Sequence, residues 1–101
     1  MSPHHTDATK RLFRAMLLLK TEEECAAFFD DICTIREIQD LSQRLEVAEM
    51  LKAGKNYQEI SRATGASTAT ICRVNKCLNY GSDGYNTVLS RLCEEDTAKN
   101  A

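Results

Sequence analysis

Proline is all but missing from this chain: of 101 residues only Pro3 is one, and glycine occurs four times. Aromatic residues are also few, three Phe and three Tyr, while Leu, Ala, Glu, Lys and Arg are abundant. This composition disfavours sheets and tight hairpins and points to an all-α chain. The Asp83-Gly84 pair lies between two helical patterns rather than between alternating strands. No Cys-x-x-Cys pair occurs among Cys25, Cys33, Cys72, Cys77 and Cys93, and their number is odd. With no secretory leader legible, a disulfide framework is not expected and a cytoplasmic location is. The histidines, His4 and His5, are adjacent in a polar N-terminal stretch, so the spaced ligands of a zinc site are missing and no metal or other cofactor is expected. No Ser-His-Asp, Cys-His, paired-carboxylate or phosphate-loop arrangement is visible, which argues against an enzyme. The longest apolar run, residues 15–19, is far short of the ~20 residues that span a bilayer, so no membrane association is expected.

What remains is a chain of single-domain size with a thin core. At this length only about 60–65% of the unfolded surface is buried on folding, which makes oligomerisation a natural outcome. The formal net charge of −2 is unremarkable, but its distribution is uneven. Segment 52–80 carries Lys52, Lys55, Arg62, Arg73 and Lys76 against Glu59 alone, a net of +4. The acids gather at residues 22–24, 30–31 and 94–96. A local basic face on an acidic chain fits either a phosphate footprint or an ordinary solvated surface.

Helical periodicity covers most of the chain. Residues 1–6 read as a loose start, 7–94 as one helical domain and 95–101 as a loose tail. From about Asp7 to Lys20, Leu12, Phe13, Met16, Leu17 and Leu19 recur at helical spacing, and Ala15 and Leu18 widen the apolar face beyond one intramolecular contact. Thr21 with Glu24, and Thr34 with Glu37, are capping boxes. The first opens a helix with Cys25, Phe28, Phe29 and Ile32 inward. The second opens a longer one with the stripe Ile35, Ile38, Leu41, Leu45, Ala48 and Leu51, ended by Gly54. Asn56 starts a short helix to Thr64; another runs from Ser67 to Leu78. A last helix, 83–94, turns Tyr85, Val88, Leu89, Leu92 and Cys93 inward.

Residues 57–76 are the most specific segment. Two short helices joined by a tight glycine turn form a helix-turn-helix, here placed at about 57–78. Ile60 and Thr64 face inward on the first helix, and Ser61 is small enough for close approach. Gly65 supplies the turn, and Ile71 and Val74 bury the second helix. Ser67 is placed to cap that helix. Its exposed residues, Ser67, Thr68, Ala69, Cys72, Arg73 and Lys76, suit entry into a DNA major groove. Small groups allow close approach, methyls can meet thymine, and Arg can pair with guanine. Lys55, Gln58, Arg62 and Thr70 sit where phosphate contacts could fix register.

The segments Leu-Ser-Gln-Arg-Leu-Glu-Val-Ala-Glu-Met-Leu-Lys-Ala-Gly (41–54) and Thr-Gly-Ala-Ser-Thr-Ala-Thr-Ile-Cys-Arg-Val (64–74) resemble the tryptophan repressor superfamily, specifically the YerC/YecD branch of Trp-repressor-like proteins. The resemblance spans about 34–92, the more specific segment being the second. It implies a bacterial, all-α, intertwined homodimer of about six helices, which would account for the surplus apolar surface on 7–19. It also implies a transcriptional regulator, in the sense of a repressor. Its two reading heads would lie about one DNA turn apart, roughly 34 Å, on a pseudo-palindromic operator.

In the tryptophan repressor the corepressor lies between two arginines, positions matched here by Arg44 and Arg73. The residue after the second is glycine there and Val74 here, and the position that would hold the ligand's amino group is Cys77. Two extra methyls in a slot shaped for a flat ring cost about 1–3 kcal/mol or more of overpacking. The expectation is therefore a regulator that binds DNA without tryptophan. Arg44 reads equally as a charged residue on a solvated helix face. The alternatives are a helical protein-interaction module, or a regulator controlled by an unidentified small ligand bound among Arg44, Arg73, Val74 and Cys77.

Overall fold

The computed structural model describes residues 5–100. They form α1 (Asp7–Leu17), α2 (Glu22–Ile32), α3 (Ile35–Lys52), α4 (Tyr57–Thr64), α5 (Thr68–Tyr80) and α6 (Gly84–Asn100), with no strand among the described residues. Polar side chains set five of the six starts. Thr6 Oγ1 accepts the Thr9 N–H at 3.2 Å, Thr21 Oγ1 that of Glu24 at 3.0 Å, and Thr34 Oγ1 that of Glu37 at 3.1 Å. Asn56 Oδ1 accepts from Glu59 at 2.9 Å, and Ser67 Oγ from Thr70 at 3.1 Å. Each such cap stabilises its helix by about 0.5–2 kcal/mol. The Thr34 box is closed, with the Thr34 N–H donating to Glu37 Oε1 at 2.8 Å. In the Thr21 box Glu24 instead reaches one residue further back, to the Lys20 N–H at 2.8 Å.

Several boundaries and burials depart from the periodicity. Helix α1 stops at Leu17, three residues short of Lys20; α5 runs to Tyr80 rather than Leu78; and α6 continues past Glu94 to Asn100. Most of the stretch 95–101 is therefore helical, because no glycine or proline interrupts it after Gly84. Residues 1–4 of the expected loose start, and Ala101, lie outside the described residues. The α3 stripe is not uniformly inward. Ile35 is 77% and Leu41 49% exposed, while Val47, which lies off the stripe, is fully buried beside Ala48. Ile32, Val88 and Cys93 are likewise exposed, against their expected inward placement. Periodicity marks which face of a helix is apolar; how much of that face is covered depends on what the rest of the chain brings to it.

Packing divides the chain into two units, one ending at Ile38 and the other starting at Gln39, inside α3. In the first, α1 and α2 hold no buried residue, and Leu17 and Leu18 are 83% and 76% exposed. The Phe28 and Phe29 rings tilt against each other at 5.8 Å, and His5 meets Phe13 edge-on at 5.2 Å. The second unit holds the core: Val47 and Ala48 of α3, Ile60 of α4, Ala66 of the following turn, Ile71 and Val74 of α5, and Leu89 of α6. Leu45, Met50, Leu51, Tyr57, Leu78, Tyr85 and Leu92 close around it. Full burial of Val47, Ile60, Ile71 and Val74 contributes about 1.5–3 kcal/mol each. Helix α5 is therefore held from within by Ile71 and Val74, which fixes the direction of its outer face.

Candidate nucleic-acid interface

The turn between α4 and α5 is three residues long and densely hydrogen-bonded. Gly65 adopts φ +75°, and its N–H donates to the Ser61 carbonyl at 2.9 Å, closing α4 in a left-handed cap. The Thr64 hydroxyl donates to the Ile60 carbonyl at 2.8 Å and accepts the Ala66 N–H at 3.1 Å. Ser61 Oγ donates to the Ala66 carbonyl at 3.0 Å, and Gln43 Nε2 of α3 donates to the Thr64 carbonyl at 3.1 Å. Few polar groups in the turn are left to flex, and Ala66 is plugged into the core. Ser61 thus does more than leave room, and Gln43 is a brace that spacing alone does not reveal.

The structure places Ser67, at the cap of α5, and Thr68, Ala69, Cys72, Arg73 and Lys76 on α5 at the surface, away from buried Ile71 and Val74. Ser67 is committed to its cap, since its hydroxyl also donates to Thr70 Oγ1 at 3.1 Å. Gln58 and Arg62, one turn apart on α4, share an open groove with Tyr57, Ser61 and Thr68. Two of the residues expected to touch phosphate therefore lie beside one expected to read bases. Lys55 is exposed in the link before α4, its N–H donating to the Met50 carbonyl at 3.0 Å. Thr70 is half-buried and sits elsewhere, in a cavity on the other flank of α5.

That cavity, of about 150 Å³, is lined by Arg44, Thr70, Arg73, Val74, Cys77 and Tyr85. It gathers all four residues expected around an effector, although Arg44 stands on α3 and the others on α5. Its volume is below the ~300–1,000 Å³ of typical small-molecule sites. Val74, only 2% exposed, belongs at once to the cavity wall and to the core. Tyr85 is a wall residue that the α6 periodicity marks merely as inward.

Tyr57 was also outside the sequence-based set. It is half-buried against the core. Burial pushes its ionisation above the ordinary tyrosine value. The nearby Cys72 side chain adds to that rise and Asn75 opposes it. No sequence signal links positions 57 and 72. Among the described residues no group of three His, Cys, Asp or Glu side chains could hold a metal ion, and no helix is long and apolar enough to cross a membrane.

Helix α4, the turn at 65–67 and the outward face of α5 define an all-α helix-turn-helix protein. The family model described as Trp repressor protein matches residues 7–93. The uncharacterized protein YerC of Bacillus subtilis strain 168 is 56% identical over 91 residues, which are 90% of this chain and 88% of YerC. The crystal structure of a TrpR-like protein from Eubacterium eligens superposes with a TM-score of 0.83 at 56% identity, covering 86% of this chain and 90% of the other. That of a candidate Trp repressor from Staphylococcus aureus gives 0.83 at 52% identity, covering 86% and 87%. The chain belongs to the Trp repressor family, in its YerC branch.

Proposed function

We propose that this protein is a sequence-specific DNA-binding transcription regulator, acting as a repressor, that grips a pseudo-palindromic operator as a homodimer and needs no tryptophan to do so. The observation that carries the reading is the outer face of α5. Thr68, Ala69, Cys72, Arg73 and Lys76 stand exposed on a helix locked from within by Ile71 and Val74, with Gln58 and Arg62 flanking its first turn. Small side chains near the start and bases further on match the chemistry of a major groove. Lys55, Gln58 and Arg62 serve phosphates, and Thr70 does so only if the DNA backbone reaches its flank of α5. The exposed Leu17 and Leu18 support a second copy as the partner of α1. No catalytic role is assigned.

The test is selection of duplexes from a random pool, followed by titration of the selected and a scrambled duplex at two salt concentrations. Affinity should fall steeply with salt for both, with a specific-over-random gain of about 10³ or more. Equal, weak binding of both duplexes would leave an interaction module as the better account. Size exclusion should give a dimer; a monomer would undercut the two-half-site arrangement. Control by a small ligand is the second reading, favoured by the cavity between Arg44 and Arg73, which at about 150 Å³ suits only a small ligand.

A further inference from the structure

We infer that Gln43, on α3 and outside the helix-turn-helix itself, is a positioning residue that sets how well the protein tells one DNA sequence from another; the inference rests on the DNA-binding reading above. The last four carbonyls of a helix lack partners further along it. At the end of α4 the Ser61 carbonyl takes the Gly65 N–H, and the part-buried Thr64 carbonyl takes Gln43 Nε2 at 3.1 Å, from a residue 21 positions away. The other side-chain bonds of the turn stay within the motif. The Thr64 hydroxyl donates to the Ile60 carbonyl at 2.8 Å and accepts the Ala66 N–H at 3.1 Å, and the Ser61 hydroxyl donates to the Ala66 carbonyl at 3.0 Å. These bonds make the turn one stiff unit without fixing where that unit sits on α3. Ile60, Ala66, Ile71 and Val74 hold it against the core, but apolar burial is non-directional and tolerates small slides of one helix past another. Thr68 and Ala69, which face the groove, come before Ile71, the first buried anchor of α5, so their placement depends on the turn. A directional bond from α3 to the last residue of α4 fixes that end. Hydrogen bonds and methyl contacts at base edges need such fixed placement, whereas attraction to phosphates does not. Losing the Gln43 donor therefore lowers discrimination and leaves non-specific affinity in place.

The experiment compares Gln43→Met with wild type in the full chain. Methionine has similar length and helix propensity but donates no hydrogen bond. The ratio of affinities for the selected and a scrambled duplex should fall roughly threefold to tenfold, the equivalent of one net side-chain hydrogen bond, and the fall should come from the selected duplex alone. A general loss of folded protein would instead lower both affinities together. Gln43→Lys, which restores a donor, should keep a higher ratio than Gln43→Glu, which sets a second acceptor against the carbonyl. In the free protein, amide hydrogen exchange at Gly65 and Ala66 should speed up more in Gln43→Met than exchange at Ile71 and Val74. An unchanged ratio in Gln43→Met, or exchange that rises uniformly along α4 and α5, overturns the positioning role and leaves the DNA reading standing. A wild-type protein that does not discriminate overturns the DNA reading and this role with it. Should Gln43→Met fail to fold, Gln43→Lys against Gln43→Glu decides: the role requires the first to discriminate better, and equal ratios refute it.

Discussion

Replacing Val74 by glycine should convert a structural side chain into a ligand slot, at a calculable cost in stability. Val74 is 2% exposed, packs in the core and walls the cavity between Arg44 and Arg73. Removing its side chain forfeits about 1.5–3 kcal/mol of burial. Glycine in a helix interior costs about 1 kcal/mol more. The expected loss is therefore about 2.5–4 kcal/mol from these two contributions. At about 4–8 °C per kcal/mol for a domain of this size, the melting temperature falls by more than 10 °C. Val74→Ala is the graded control, losing two methyl groups at ~0.8 kcal/mol each and keeping helix propensity. Urea titration of the three proteins gives the stabilities, and calorimetry with tryptophan gives the binding. Wild type should show no binding heat. Val74→Gly should bind, and should recover about 2.7 kcal/mol of its lost stability at a hundredfold excess of ligand over Kd. Specific micromolar tryptophan binding by wild type would falsify the reasoning. So would a Val74→Gly protein as stable as wild type, since the valine would then not be bracing α5.

Three further outcomes follow from the same geometry. Arg73→Ala and Thr68→Ala should each relax sequence preference by about 1–3 kcal/mol, whereas Lys55→Ala and Arg62→Ala should weaken all duplexes alike and lower the salt slope by about 1; titrations over a salt series separate the two behaviours. A Cβ at Gly65 meets nothing within 4 Å, so Gly65→Ala should cost only the left-handed backbone penalty of about 1–2 kcal/mol. At Gly81 the same atom runs into the Cys77 carbonyl, so Gly81→Ala should cost more, and a reversed order in urea midpoints would contradict the packing at the end of α5. Finally, the Thr34 backbone N–H, with its hydroxyl as a second partner, holds the Glu37 carboxyl below its ordinary value of 4.5. A depressed folded value means that the contribution is complete above 4.5 and disappears as pH falls through the lower folded value. Glu37→Gln should remove that contribution at neutral pH and flatten the stability profile in the acid window, so that the two urea-derived profiles converge at low pH.

The local rules written into this sequence determined the helix starts of both units and, in the second, most of the outward chemistry. Caps at Thr21, Thr34, Asn56 and Ser67, the glycine at 65 and the pair Ile71 and Val74 each depend on residues within one or two helical turns. Such features can be read without knowing what lies across the fold. The same holds for the exposed set on α5, because a helix with two buried anchors has a defined opposite face. Tertiary structure alone decided the rest. That Arg44 shares a cavity with Arg73 and Tyr85 and that Gln43 ties down the turn are facts about different helices converging, and no spacing encodes them. Burial along α3 belongs in that group too: Ile35 and Val47 are both apolar residues of one helix, yet one is exposed and the other buried, because coverage depends on which elements reach each turn.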